Sequence, residues 1–161
     1  MVKGTSTLSD GAVDMGLIFG GAFAASIMPT VQVAADLINE YQCSLVTGHS
    51  LGGYVAEIMG TTYGVSGASF CGPGVNGPLV SFGGAAHPGF QNIQFEHDAA
   101  GNWMPGVYSH VQWSVYIKCE NDSYTHEIGA MCSYFRDKKH ITNTNVVSRS
   151  QSYPTGYYYP K

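Results

Sequence analysis

"LVTGHSLGGYV", residues 45–55, is an apolar lead, a Gly-His-Ser-Leu-Gly-Gly centre and an apolar exit. The lead, from Cys43 to Thr47, reads as a short buried strand. Residues 51–63 read as a helix that Gly64 stops from a C-cap position. Ser50 therefore falls where a strand ends and a helix begins. The spacing is G-x-S-x-G, in which the serine occupies a strained turn that presents its hydroxyl at the top of a sheet. A side chain at Gly48 or Gly52 would crowd that turn. A bare match to the pattern arises by chance in Gly/Ser-rich loops. The strand before it, the helix after it, His49 inside it and Gly53 behind it make this one specific. The first N–H groups of the helix point toward negative charge developing beside Ser50. Leu51 N–H, directly after the serine, is one oxyanion donor.

Outward from this centre, strand-like and helix-like segments alternate, the pattern of an α/β fold with a mainly parallel sheet flanked by helices. "VQVAADLINEYQ", residues 31–42, places Val31, Ala34, Ile38 and Tyr41 on one helical face. The uncharged run from Met15 to Ala35 reads as a buried or lid-like helix. A signal peptide wants a basic flank where Asp10 and Asp14 stand, and Gly16, Gly20, Gly21 and Pro29 weaken a membrane span. Downstream, Ser66 to Cys71 reads as a strand. A Gly/Pro-rich loop follows, then a strand from Asn92 to His97. In "HVQWSVYIKC", residues 110–119, Val111, Trp113, Val115, Ile117 and Cys119 alternate with Gln112, Ser114, Tyr116 and Lys118, the period of a half-buried strand. Residues 126–136 read as a helix with Ile128, Met131, Cys132 and Phe135 inward. These elements form one domain over residues 1–136, and residues 137–161 form a C-terminal extension with no assigned structure.

Composition bounds the rest. The 161 residues are 44% hydrophobic and only 11% charged, against ~25% charged for an average soluble protein. A net charge of −4 argues against a nucleic-acid partner for the whole molecule. Five of the seven basic residues (Arg136, Lys138, Lys139, Arg149 and Lys161) crowd the C-terminal part, opposed there only by Asp137. The four cysteines lack CxxC spacing, and no HExxH occurs, so neither a metal nor another cofactor is expected. Cys43 and Cys71 flank strands, where small buried thiols are ordinary. A Cys119–Cys132 disulfide is left open, and with it the redox compartment and localisation.

A serine needs a base to act as a nucleophile, and the base needs an orienting acid. After such a turn the acid comes next in the chain and the histidine follows it. Three aspartates follow Ser50. Asp98 stands directly after the strand "NIQFEH" and so at its carboxyl end, beside the turn. Asp122 lies in the polar turn "ENDS", where aspartate serves the turn itself, and Asp137 lies among basic residues. Asp98 is the favoured acid. Of His110, His126 and His140, His126 opens a helix after a short loop and is the favoured base. Periodicity alone leaves His110 open. His49 belongs to the turn, while His87 and His97 read as structural or pocket-lining.

These residues, with "KGTSTLSDGAVD" near the start, "FCGPGV" after the second strand and "THEIGAMCSYF" at the last helix, resemble the class 3 lipase family of the α/β-hydrolase superfamily, the group of fungal triacylglycerol lipases. The match runs from residue 3 to about residue 136. The resemblance implies that Thr5 supplies the second oxyanion N–H, that Asp14 holds Thr5, and that Met15 to Pro29 covers or adjoins an acyl pocket. It departs from the family at Gly11, where a bulky residue is usual. Relatives also carry strands before this motif, so a minimal or N-terminally truncated domain is expected, with a sheet edge exposed to self-association. The implied activity is hydrolysis of carboxylic esters of lipidic or apolar acids, with transient contact to a lipid surface. The alternatives are a non-catalytic binding module of the same fold and an acyltransferase using the same three residues. Acyl-chain length is open.

Overall fold

Five strands form one sheet in the order β1-β2-β3-β4-β5, the first four parallel and the fifth antiparallel. The structure, a computed structural model, describes residues 22–76, 84–95, 98, 110–117, 126, 128–137 and 146–150. The strands are β1 (Leu45–His49), β2 (Ser66–Phe70), β3 (Phe90–Phe95), β4 (Trp113–Ile117) and β5 (Val146–Ser150). Three helices accompany them: α1 (Ala22–Tyr41), α2 (Leu51–Tyr63) and α3 (Ile128–Asp137). The α/β class expected from the alternation is the class observed.

α1 joins the segment read as a buried or lid-like helix to the helical face at residues 31–42 in one helix that runs through Pro29. An interior proline costs a helix about 3 kcal/mol. Burial on either side offsets that: Ile27, Val31 and Ala35 enter the main core, with Ala34 and Ile38 packed against it. Tyr41, expected inward, is exposed because it lies at the margin of the stripe on the helix's last turn. Gln42 then takes a positive φ of 50°, and Cys43 N–H reaches back to the Ile38 carbonyl at 3.0 Å. That turn consumes Cys43 and Ser44. β1 consequently begins two residues later than expected and ends at His49, directly against Ser50. Cys43 is exposed rather than buried, whereas Cys71 is fully buried as expected.

α2 lies across β1, β2 and β3 and is buried from Gly52 to Thr61. Gly64 ends it in the left-handed conformation, φ 65° and ψ 31°, where a side chain would be strained. The packing is close: a Cβ on Gly60 would meet the Phe90 ring at 2.5 Å. Two apolar clusters result, one between α1, α2 and the sheet, the other around Cys71, Phe95 and Ile117 on the sheet's opposite face.

β3 starts at Phe90, two residues before the expected Asn92, and is described to Phe95. β4 keeps its period of two, but it is covered on both faces rather than half-buried: Gln112, Ser114 and Tyr116 are buried on one, and Ile117 is buried on the other beside a half-buried Val115. Strands inside a parallel sheet are covered on both faces, and register sets Ser114 beside Asn92 and Asn92 beside Ser69 under α2. In α3, Ile128 and Cys132 are exposed, contrary to their expected inward placement. A one-in-four stripe marks a face but does not say which side the sheet lies on. Within residues 137–161, left without assignment by the sequence, β5 adds to the edge of β4. Among the described residues, no helix is long and apolar enough to cross a membrane.

Candidate active site

Ser50 joins sheet to helix with its own backbone. Its N–H donates to the Phe70 carbonyl at 3.0 Å, extending the β1–β2 ladder, and its carbonyl accepts from Tyr54 N–H at 3.0 Å, opening α2. Turning from one to the other within a single residue requires φ 57° and ψ −127°, a conformation that non-glycine residues rarely adopt and that clusters at functional sites. Gly48 permits the turn: a Cβ there would collide with the carbonyl of Gly52. Gly53 does the same for the loop after β2, since a Cβ would come within 2.7 Å of Ser69 Oγ and 3.1 Å of Gly72 Cα.

Ser50 stands at the N-cap of α2, yet its hydroxyl makes no capping hydrogen bond. Oγ lies 2.6 Å from His126 Nε2 instead. The other ring nitrogen, Nδ1, lies 2.8 Å from Asp98 Oδ2. Asp98 is held one turn beyond β3, its N–H on the Phe95 carbonyl at 3.1 Å, and its side chain is fully buried while that of His126 is 26% exposed. A buried carboxylate accepting from Nδ1–H leaves Nε2 unprotonated toward the serine and stabilises the imidazolium that proton transfer creates. No acidic residue occupies the first turn of α2. Leu51 and its neighbours thus leave the positive end of the helix to other negative charge.

His49, the residue before Ser50, stacks on His126 with ring centroids 4.8 Å apart and a tilt of 30°. Its pKa is lowered from 6.5, first by burial and next by the charge of His126, against opposing contributions from Asp98 and a hydrogen bond to the His126 backbone. The ring is neutral at neutral pH.

The structure therefore brings together Ser50, Asp98, His126 and His49, with Gly48, Leu51 and Gly52 in the turn. Thr5 and Asp14 lie outside the described residues, as do His97, His140 and Asp122. His110, the base left open by periodicity, is elsewhere: its Nδ1 lies 2.7 Å from Glu57 Oε2, both side chains buried. Glu57 also accepts the N–H groups of Val111 and Gln112 at 2.9 and 3.2 Å. Sequence reading passed over Glu57. Its signal is there, since it is the only Asp, Glu, Lys or Arg between Glu40 and Glu96 and sits inside an apolar helix.

No protein-family model matches the chain, and no curated protein matches it. Among solved structures it is similar to lipase II from Rhizopus niveus, at 24% identity over 65% of this chain and 44% of that one, with a TM-score of 0.38. The chain spans less than half the length of that structure.

Proposed function

We propose that the protein is a serine hydrolase of the α/β-hydrolase kind that cleaves carboxylic esters. The observation that carries this reading is the continuous hydrogen-bonded line from Ser50 Oγ through His126 to Asp98, begun at a residue whose positive φ delivers the hydroxyl between sheet and helix. Ser50 Oγ attacks the ester carbonyl as its proton passes to His126 Nε2. The imidazolium is stabilised by Asp98. Negative charge on the tetrahedral oxygen is met by Leu51 N–H and, by resemblance to the class 3 lipases, by Thr5 N–H. Collapse expels the alcohol, which takes the proton from His126. Water then attacks the acyl-enzyme with His126 again as base, and the carboxylic acid leaves. Loss of one oxyanion donor lowers the rate about 100–1000-fold.

The test is hydrolysis of p-nitrophenyl esters from acetyl to palmitoyl by the native chain and by Ser50→Ala. Turnover that vanishes in the variant supports the nucleophile, and the chain-length profile separates esterase from lipase. A folded native chain with no turnover on any ester, and no labelling of Ser50 by a fluorophosphonate, overturns the reading.

A further inference from the structure

The two hydrogen bonds of His126 lie at opposite corners of its ring, on Asp98 and on Ser50. Together they fix the ring's position along that line. Turning the ring about that line moves neither nitrogen far from its partner, so the two bonds leave the plane of the ring to its Cβ tether and to contacts on its face. The side chain is 26% exposed, so contacts on the ring's face are not supplied from every side.

His49 supplies one. Its imidazole lies against the His126 ring at 4.8 Å between centroids, within the range of offset aromatic pairs. His49 Nε2 is buried with no hydrogen-bond partner, so the ring contact with His126 is the contact His49 makes there. A single peptide bond separates it from Ser50, so whatever it holds is held at a fixed distance from the nucleophile.

We infer that His49 is a positioning residue for His126, a half-buried ring that helps set the plane of the base from the peptide next to the nucleophile. Its consequence for turnover rests on the hydrolase reading above. The chemistry favours a neutral ring over a cationic side chain at this place, because His126 becomes positive during the reaction and a second positive charge in contact would oppose it. The lowered pKa of His49 agrees with this, burial being its largest cause. Among the described residues, the titratable groups acting on His49 are His126 and Asp98.

The experiment compares His49→Ala, His49→Gln and His49→Phe. The readouts are kcat and KM on a short-chain p-nitrophenyl ester, and the downfield proton resonance of His126 Nδ1–H in its bond to Asp98. The Ala and Gln variants are expected to lose about 10-fold or more in kcat with KM within about twofold, the pattern of a misplaced catalytic group, and to broaden the resonance. His49→Phe restores a flat neutral ring and is expected to recover kcat to within about threefold of native. A Phe variant no better than Ala, or a resonance indifferent to residue 49, overturns the inference. If Ser50 resists a fluorophosphonate while the resonance follows residue 49 as stated, the positioning stands and the hydrolase reading falls. If Ser50 is labelled and hydrolyses esters equally well in all three variants, the positioning falls and the hydrolase reading stands.

Discussion

Among the described residues, the sheet and its helices hold two carboxylate–imidazole pairs of almost equal length, Asp98–His126 at 2.8 Å and Glu57–His110 at 2.7 Å. In each the carboxylate is fully buried and the bond is made through Nδ1. They differ at the other nitrogen. His126 Nε2 meets Ser50 Oγ at 2.6 Å, and its side chain is partly open to solvent. His110 Nε2 meets Gln94 Nε2 at 3.4 Å, and its ring is 3% exposed. A carboxylate beside a histidine is thus no mark of catalysis on its own. The first pair has a hydroxyl at its second nitrogen and a ring partly open to solvent. The second has neither and instead joins the entrance of β4 to the middle of α2, with Glu57 also accepting two backbone N–H groups.

The comparison is tested most severely at the serine. Ser50→Ala is expected to reduce kcat/KM on p-nitrophenyl acetate about 10⁶-fold while leaving the unfolding midpoint near that of the native chain, because the hydroxyl makes no capping bond. Next come the two acids. Asp98→Asn is expected to lower kcat about 10⁴-fold, whereas Glu57→Gln retains kcat within about threefold per folded molecule. Equal losses in the two variants would erase the distinction between the pairs. Stability reverses the ranking. Glu57→Ala removes the acceptor that a buried imidazole and the N–H groups of Val111 and Gln112 share, and urea titration should show a loss of about 3–5 kcal/mol.

The smallest effect concerns His49, whose pKa is depressed below the ordinary 6.5 in the folded chain. The unfolded chain then binds that proton more readily as pH falls. The contribution is fully present above 6.5 and is lost as pH drops from there toward the lowered folded value. Urea midpoints at pH 7.5 and 5.5 should therefore fall less steeply in His49→Phe than in the native chain. An identical slope in both would show that residue 49 does not contribute to the acid loss.

Much of the site was legible because its signals are local. The turn at Ser50 is a backbone requirement written in consecutive residues, and at Gly48, one of the two glycines expected to be crowded, a Cβ would strike the main chain of Gly52. Asp98 and His126 were selected by chain order and by their place after a strand and before a helix, and both meet at the serine. The two-residue offsets of β1 and β3 arose because turn residues such as Cys43 and strand residues such as Leu45 have similar character, and only the ladder distinguishes them. β5 gave no signal: "VVSRS" has one short apolar pair, and its strand conformation depends on the edge of β4 being free to receive it.

The sequence by itself determined the strand–turn–helix at Ser50, the α/β class and the chain order of Ser50, Asp98 and His126, since each depends on neighbours a few residues apart or on chain order. Only the tertiary structure decided which histidine serves which carboxylate. His110 and His126 are both downstream of Asp98, and both would satisfy a pairing rule. Glu57 claims the first because α2 lays it against the residues that lead into β4. Burial decided the remainder: it turned the polar face of β4 inward under α2 and stacked His49 on His126. Contacts between residues 76 positions apart, such as Ser50 and His126, follow from how the layers pack, a property that no single stretch of chain possesses.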